Sequence, residues 1–221
     1  MARFGRAHPV PKPSQFYVGD VAPPPPSGTI SIGGLTITAQ PNISAVVVIG
    51  GISITASSHI GSGLTFSNSA TQLEAGNDGG DTWDFFTRFD IPSPSIPSGV
   101  TVTYAALSGT VDQTDSGASL IVYAEKAAAP TAPTSNADFW SRTRTTECVR
   151  WAPGSITSGQ AITSPDLTPI IQELVTAFPD AITAIQLFVQ DNSSPLNGKM
   201  LLRSFENTAN EPASLTLRWH N

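Results

Sequence analysis

The sequence predicts an all-β protein: a jelly-roll-like β-sandwich with one short helix, preceded by a Pro-rich extended arm and a repeated β-hairpin segment. Three observations carry this reading. The 221 residues include 18 glycines and 19 prolines, a content that argues against a helical bundle. Short alternating apolar runs follow one another between turn residues, with no strand–helix–strand alternation. A Gly-Gly pair sits between two alternating runs, and the arrangement occurs twice. The expected organisation is an arm at 1–28, an assembly or anchor segment at 29–56 and a sandwich domain at 57–221.

The arm comes first. Residues 1–26 hold seven prolines, among them Pro9, Pro11, Pro13 and the run Pro23 to Pro26, and should be extended, largely polyproline II. Arg3, Arg6 and Lys12 against Asp20 make this segment +2, so the remainder is −8 in a chain whose formal charge is −6. The segment reads either as a disordered tail or as an arm docking on a partner. Phe4, Val10, Phe16 and Tyr17 favour the arm, because plain linkers seldom carry aromatics.

Residues 21–73 contain no Asp, Glu, Lys or Arg. A solvated surface uses charge to stay soluble and to block edge pairing, so such a stretch is expected to be buried or assembled. Inside it, Thr29–Ala39 returns as Val46–Ala56 at an offset of 17 residues, with six of eleven positions identical. A two-residue Gly-Gly turn sets Ile32 opposite Leu35, Ser31 opposite Thr36 and Ile30 opposite Ile37. In the second copy it sets Ile49 opposite Ile52 and Val47 opposite Ile54. The alternative is a Gly-Gly bulge within one longer strand. Two lone hairpins are not stable in water, so cover must come from the downstream domain, from sister chains or from a larger assembly.

Beyond residue 57 the expected strands are 63–67, 82–90, 100–111, 119–126, 147–151, 181–190, 199–206 and 213–220. Val100, Val102 and Tyr104 should share one face, as should Ile182, Ile185, Leu187 and Val189. Asn197-Gly198 marks a hairpin. One amphipathic helix is expected, with Thr168 as cap, Pro169 at the first helical position, an apolar face of Ile170, Ile171, Leu174, Val175 and Phe178, and a stop at Pro179. Ser164 or Asp166 could cap it one turn earlier.

The chemistry-bearing residues are few. His8, His59 and His220 lie in no pattern that offers a nucleophile with its base, and no Gly-x-Ser-x-Gly, phosphate-binding loop or zinc spacing occurs, so no enzyme is expected. Net acidity disfavours nucleic acid, and no apolar run is long enough to insert in a membrane. No cofactor is expected, with one possible exception. Asp78, Asp81 and Asp84, spaced by three with glycines between, could wrap Ca²⁺, or could form an acidic turn before a strand. Flat aromatic faces stack on pyranose rings, which makes Trp140 and Trp83 the candidate glycan-binding residues, whereas Trp151 and Trp219 lie in alternating strands and read as core. Cys148, the single cysteine, excludes a disulfide framework and reads as a small buried hydrophobe in a strand.

Several motifs then fall in a known order. They are Phe86-Thr87-Arg88-Phe89-Asp90-Ile91-Pro92, then Ile96-Pro97-Ser98-Gly99-Val100-Thr101-Val102, then Ala105-Ala106-Leu107. Thr143 to Trp151 follows, with Ser164-Pro165-Asp166-Leu167, Leu201 to Asn207 and Pro212 to Leu217. This order resembles the DNRLRE-type β-sandwich domain, a jelly roll similar to carbohydrate-binding modules, over roughly 57–221. Ser204-Phe205-Glu206 departs from that family's usual Ser-Arg-Glu, although Arg203 is adjacent. The opening, Met1 to Pro9, is similar to the start of minor tail proteins of phages infecting actinobacteria. Together the resemblances imply a virion protein of the minor tail, fibre or appendage type, made in the host cytoplasm without a signal peptide and released by lysis. Its expected partners are other virion proteins, further copies of itself (a trimer by analogy with fibres) and host-surface glycan. The alternatives are a capsid decoration or head fibre, and a stand-alone glycan-binding module. Phe4, Phe16, Tyr17, Ile30, Ile32, Leu35, Ile37, Val47, Ile49, Ile52 and Ile54 are the expected assembly residues.

Overall fold

The computed structural model describes the strands within 29–60, residues 66–67, 70–91, 96–97, 99–179, 182–204 and 212–220. Phe4, Phe16, Tyr17, Ile52 and Ile54 lie outside the described residues. The protein is all-β, with two sheets and two short helices among the described residues.

The first sheet has six strands in the order β1, β2, β3, β14, β8, β11. These are β1 (Thr29–Ile32), β2 (Leu35–Gln40), β3 (Ile43–Gly50), β14 (Ser214–His220), β8 (Thr101–Thr110) and β11 (Ala161–Thr163). The first repeat forms the expected hairpin: Ile32 pairs with Leu35, Ser31 with Thr36 and Ile30 with Ile37. In the second copy, Ile52 and Ile54 lie outside the described residues, and Val47 has Ile37 of β2 on one edge and Leu217 of β14 on the other. The ladders run from β1 through β2 and β3 into β14 and the rest of the sheet.

The second sheet contains β10 (Val149–Ile156), β9 (Asp115–Ala124), β13 (Lys199–Arg203), β6 (Gln72–Asp78), β7 (Asp81–Asp90), β4 (Ala56–Ile60), β5 (Phe66–Ser67) and β12 (Ala184–Asp191). Because β12 bridges β7 and β9 while β6 and β13 connect the same two strands the other way, five strands close on themselves. Closure rests on a single parallel contact, Lys199 to Gly117. Glycines make it possible: a Cβ on Gly76 would stand 2.4 Å from the Gly198 carbonyl oxygen, and one on Gly198 would stand 2.7 Å from that of Gly117. Asn197-Gly198 belongs to this junction. It does not form a hairpin, since β12 and β13 do not pair with each other.

One core lies between the sheets. Leu107, Leu215 and Leu217 from the first meet Leu120, Val122, Leu187, Val189 and Leu202 from the second, with Trp151 and Trp219 buried among them as expected. The inward alternation of Ile185, Leu187 and Val189 also holds. Tyr104 leaves the face of Val100 and Val102, because a register shift beside Trp219 turns the strand. Its ring then stacks under Arg218, 5.1 Å from the guanidinium carbon.

Helix α2 (Thr168–Ala177) closes one end of the core with Ile170, Ile171, Leu174 and Val175. Thr168 is its first residue rather than its cap; Asp166 accepts hydrogen bonds from the Thr168 amide and hydroxyl. A second helix, α1 (Asn136–Ser141), was not expected. Among the described residues no helix is long and apolar enough to cross a membrane.

Candidate functional site

Strand alternation gives the second sheet an outer face as well as a core face. Phe85 and Phe89 of β7 point into the core, and Phe86 points outward, where it joins Phe188 and Phe139 in a separate aromatic cluster flanked by Phe66 and Tyr123. Helix α1 covers this cluster. Its start is fixed locally: the Ser135 hydroxyl oxygen accepts from the Asp138 amide at 3.1 Å, and the Asp138 carboxylate accepts from the Thr134 amide at 2.8 Å. Phe139 is the helix's buried foot, edge-on to Phe188 at 5.1 Å.

Trp140 follows directly and is 42 % exposed, in contact edge-on with Phe139 at 5.0 Å between ring centroids. Arg144 stands beneath it. The guanidinium carbon lies 5.3 Å from the centre of the Trp140 ring, 5.2 Å from Phe139 and 4.5 Å from Phe188. Its nitrogens donate to the Phe139 and Arg142 carbonyls and to Gln190 Oε1. Two of these bonds fasten the end of α1, so the tryptophan sits on a fixed base rather than on the loop that the sequence suggested.

Below lies a polar layer. The Asp84 carboxylate, 2 % exposed, accepts from the Asp191 amide and from the Gln190 side chain. Burial raises its pKa to about 7, against the pull of those bonds and of Arg144. Glu125 accepts from Arg142 Nη1 at 3.0 Å and Gln186 Nε2 at 2.7 Å, with burial pushing its pKa up and Arg142 opposing. Arg142 also holds Asp138, whose pKa falls to about 2 chiefly through that hydrogen bond. The arrangement is a rigid, solvent-facing indole beside a fixed cation. It can stack a flat apolar face, and it offers no paired nucleophile and base among the described residues.

The remaining candidates are placed apart. Trp83 shares the parity of Phe85, so it lies on the opposite side of β7 from the Phe86 cluster, and the two candidate tryptophans do not form one platform. Asp78 and Asp81 pair across the β6–β7 hairpin turn, where Gly79 and Gly80 both adopt positive φ. Asp78 forms an ion pair with Lys199 at 2.8 Å, while Asp84 is buried on the outer face. The three carboxylates therefore do not converge. Among the described residues no group of three or more His, Cys, Asp or Glu is placed to hold a metal ion. The acidic-turn alternative is the one that the hairpin matches. Cys148 is exposed and precedes β10, which corrects its expected burial.

Sequence reasoning missed Arg144, Asp84 and Gln190 as a unit. Their partners come from α1, β7 and β12, which no local pattern links. No protein-family model and no curated protein sequence matches the chain.

Proposed function

We propose that this chain is a structural protein of a phage particle, of the minor tail, fibre or appendage type, built on a jelly-roll-like sandwich that presents Trp140 to glycan on the host surface. The observation that carries the recognition part is the half-exposed indole of Trp140, locked over Phe139 and Arg144. Holding an aromatic ring in place before a ligand arrives lowers the ordering cost of binding. The particle part is supported by the opening residues, by the uncharged stretch 21–73 and by the resemblance of the sandwich motifs.

A second reading, a glycan-binding module with no particle, is favoured by one observation. Strand β3 pairs with β14, so the uncharged strands complete the body instead of standing off as a separate anchor.

The test is a glycan array probed with the full chain and with Trp140→Ala, followed by calorimetry on any glycan retained. The expected result is binding that weakens about tenfold or more in Trp140→Ala, with an unchanged melting temperature. Binding indifferent to Trp140, or none to any glycan, overturns the recognition reading. Mass spectrometry of purified particles, if it finds no copies of the chain, overturns the particle reading and leaves the module.

A further inference from the structure

The repeat has a consequence that lies in the register. Strand β2 takes Thr29, Ile30 and Ser31 of β1 on one edge opposite Thr38, Ile37 and Thr36. On its other edge it takes Val46, Val47 and Val48 of β3 opposite the same three residues. Those two sets are equivalent positions of the 17-residue repeat. The duplicated strand thus flanks β2 in the same register on both sides. The far edge of β3 is filled by β14 in antiparallel pairing. Among the described residues, nothing pairs with the far edge of β1, its repeat equivalent.

The other sheet ends are blunted. Strand β10 carries Arg150 and Pro153 and two register irregularities around Gly154; β11 has three residues and β5 has two. Strand β1 pairs along all of its four residues without a bulge and lies wholly inside the stretch that has no charged side chain. Charge bears on the occupant. Two copies, each −8 outside the first 26 residues, repel over most of their surfaces, and the uncharged stretch is where that opposition is least.

We infer that β1 is a self-association edge, where the β1 strands of two copies pair antiparallel about a two-fold axis that passes at Ser31, setting Ser31 opposite Ser31, and join two six-stranded sheets into one. An antiparallel pair of identical strands is self-complementary and closes as a dimer. This replaces the fibre-type trimer with a two-fold contact. The contact is short, so it forms weakly in dilute solution and strongly where copies are held close on a larger assembly. The inference rests on reading the N-terminal strands as an assembly surface and names the contact.

Sedimentation of the full chain over a concentration series reaching about 1 mM tests it. The expected result is a reversible monomer–dimer equilibrium. Ser31→Lys and Ser31→Glu bring like charges against each other across the axis and should each weaken the dimer at least about fivefold, and mixing the two variants should restore it. Circular dichroism matching the wild type shows that the variants fold. A wild-type monomer at every concentration, a trimer, or a dimer indifferent to both substitutions overturns the inference. Glycan binding that persists in a strict monomer would leave the recognition reading standing, so the two failures are distinguishable.

Discussion

Asp84 shows what a single side chain does in this structure. Its carboxylate is buried, and its pKa rises from an ordinary 3.8 to about 7. A raised folded-state pKa means that the native state holds the proton more tightly than the unfolded chain. The stabilising contribution is therefore complete below about pH 4 and is lost as pH climbs through 7. Asp138, Asp166 and Glu173 are shifted downward and act in the opposite sense, so the wild-type profile alone does not isolate Asp84. Asp84→Asn keeps an oxygen to accept from the Asp191 amide and removes the titration. Melting temperatures measured from pH 4 to pH 8 should converge with or fall below those of the variant as pH rises, a relative loss on the order of 3 kcal/mol. Parallel curves for the two proteins would show that Asp84 is not buried as described. The sequence could place Asp84 in a strand but could not reveal its burial, because Gln190 and Asp191 arrive from β12, more than a hundred residues away.

At the scale of elements, the glycine junction of β6, β9 and β13 is the tightest point of the fold. Gly76 has φ +121°, and an added Cβ would meet the Gly198 carbonyl oxygen at 2.4 Å and the Lys199 Cα at 2.7 Å. Gly76→Ala should cost about 3 kcal/mol or more in denaturant unfolding, since backbone strain and a backbone clash add. Gly79, at φ +63° in an open turn with nothing near its missing Cβ, supplies the control: Gly79→Ala should cost only about 1 kcal/mol. Equal costs would mean that the five strands do not close as described. What was legible in sequence follows the same division between local and distant. The β1–β2 hairpin could be read residue by residue, because its register is set by its own turn and alternation. The second copy carries the same local signal, yet Val47 is claimed by Ile37 and Leu217, and a contact with a strand near the C-terminus leaves no trace in the repeat. Helix α1 has six residues, too few to show a helical period. Strand β6 was hidden because Glu74, Gly76 and Asp78 look like turn residues, whereas only Leu73 and Ala75 face the core. Trp140 was legible as an exposed aromatic; the Arg144 bonds that fix it were not.

For the whole molecule, the uncharged N-terminal strands are the feature on which the account turns. Two lone hairpins would not be stable in water, and in the structure β3 pairs with β14 and β4 pairs with β7. Two distinct features result: the Trp140 face on the outside of one sheet, and β1 at the end of the other, whose far edge is unpaired among the described residues. In the proposed reading, copies joined at β1 leave the Trp140 ring uncovered, because the two lie on different sheets. Amide hydrogen exchange on the full chain, followed at low and high protein concentration, tests this most directly. The account predicts that Val46 to Ile49 are protected at every concentration, held between β2 and β14, and that Thr29 to Ile32 gain protection only as concentration rises. Exchange of Val46 to Ile49 at the rate of an unfolded peptide would contradict it.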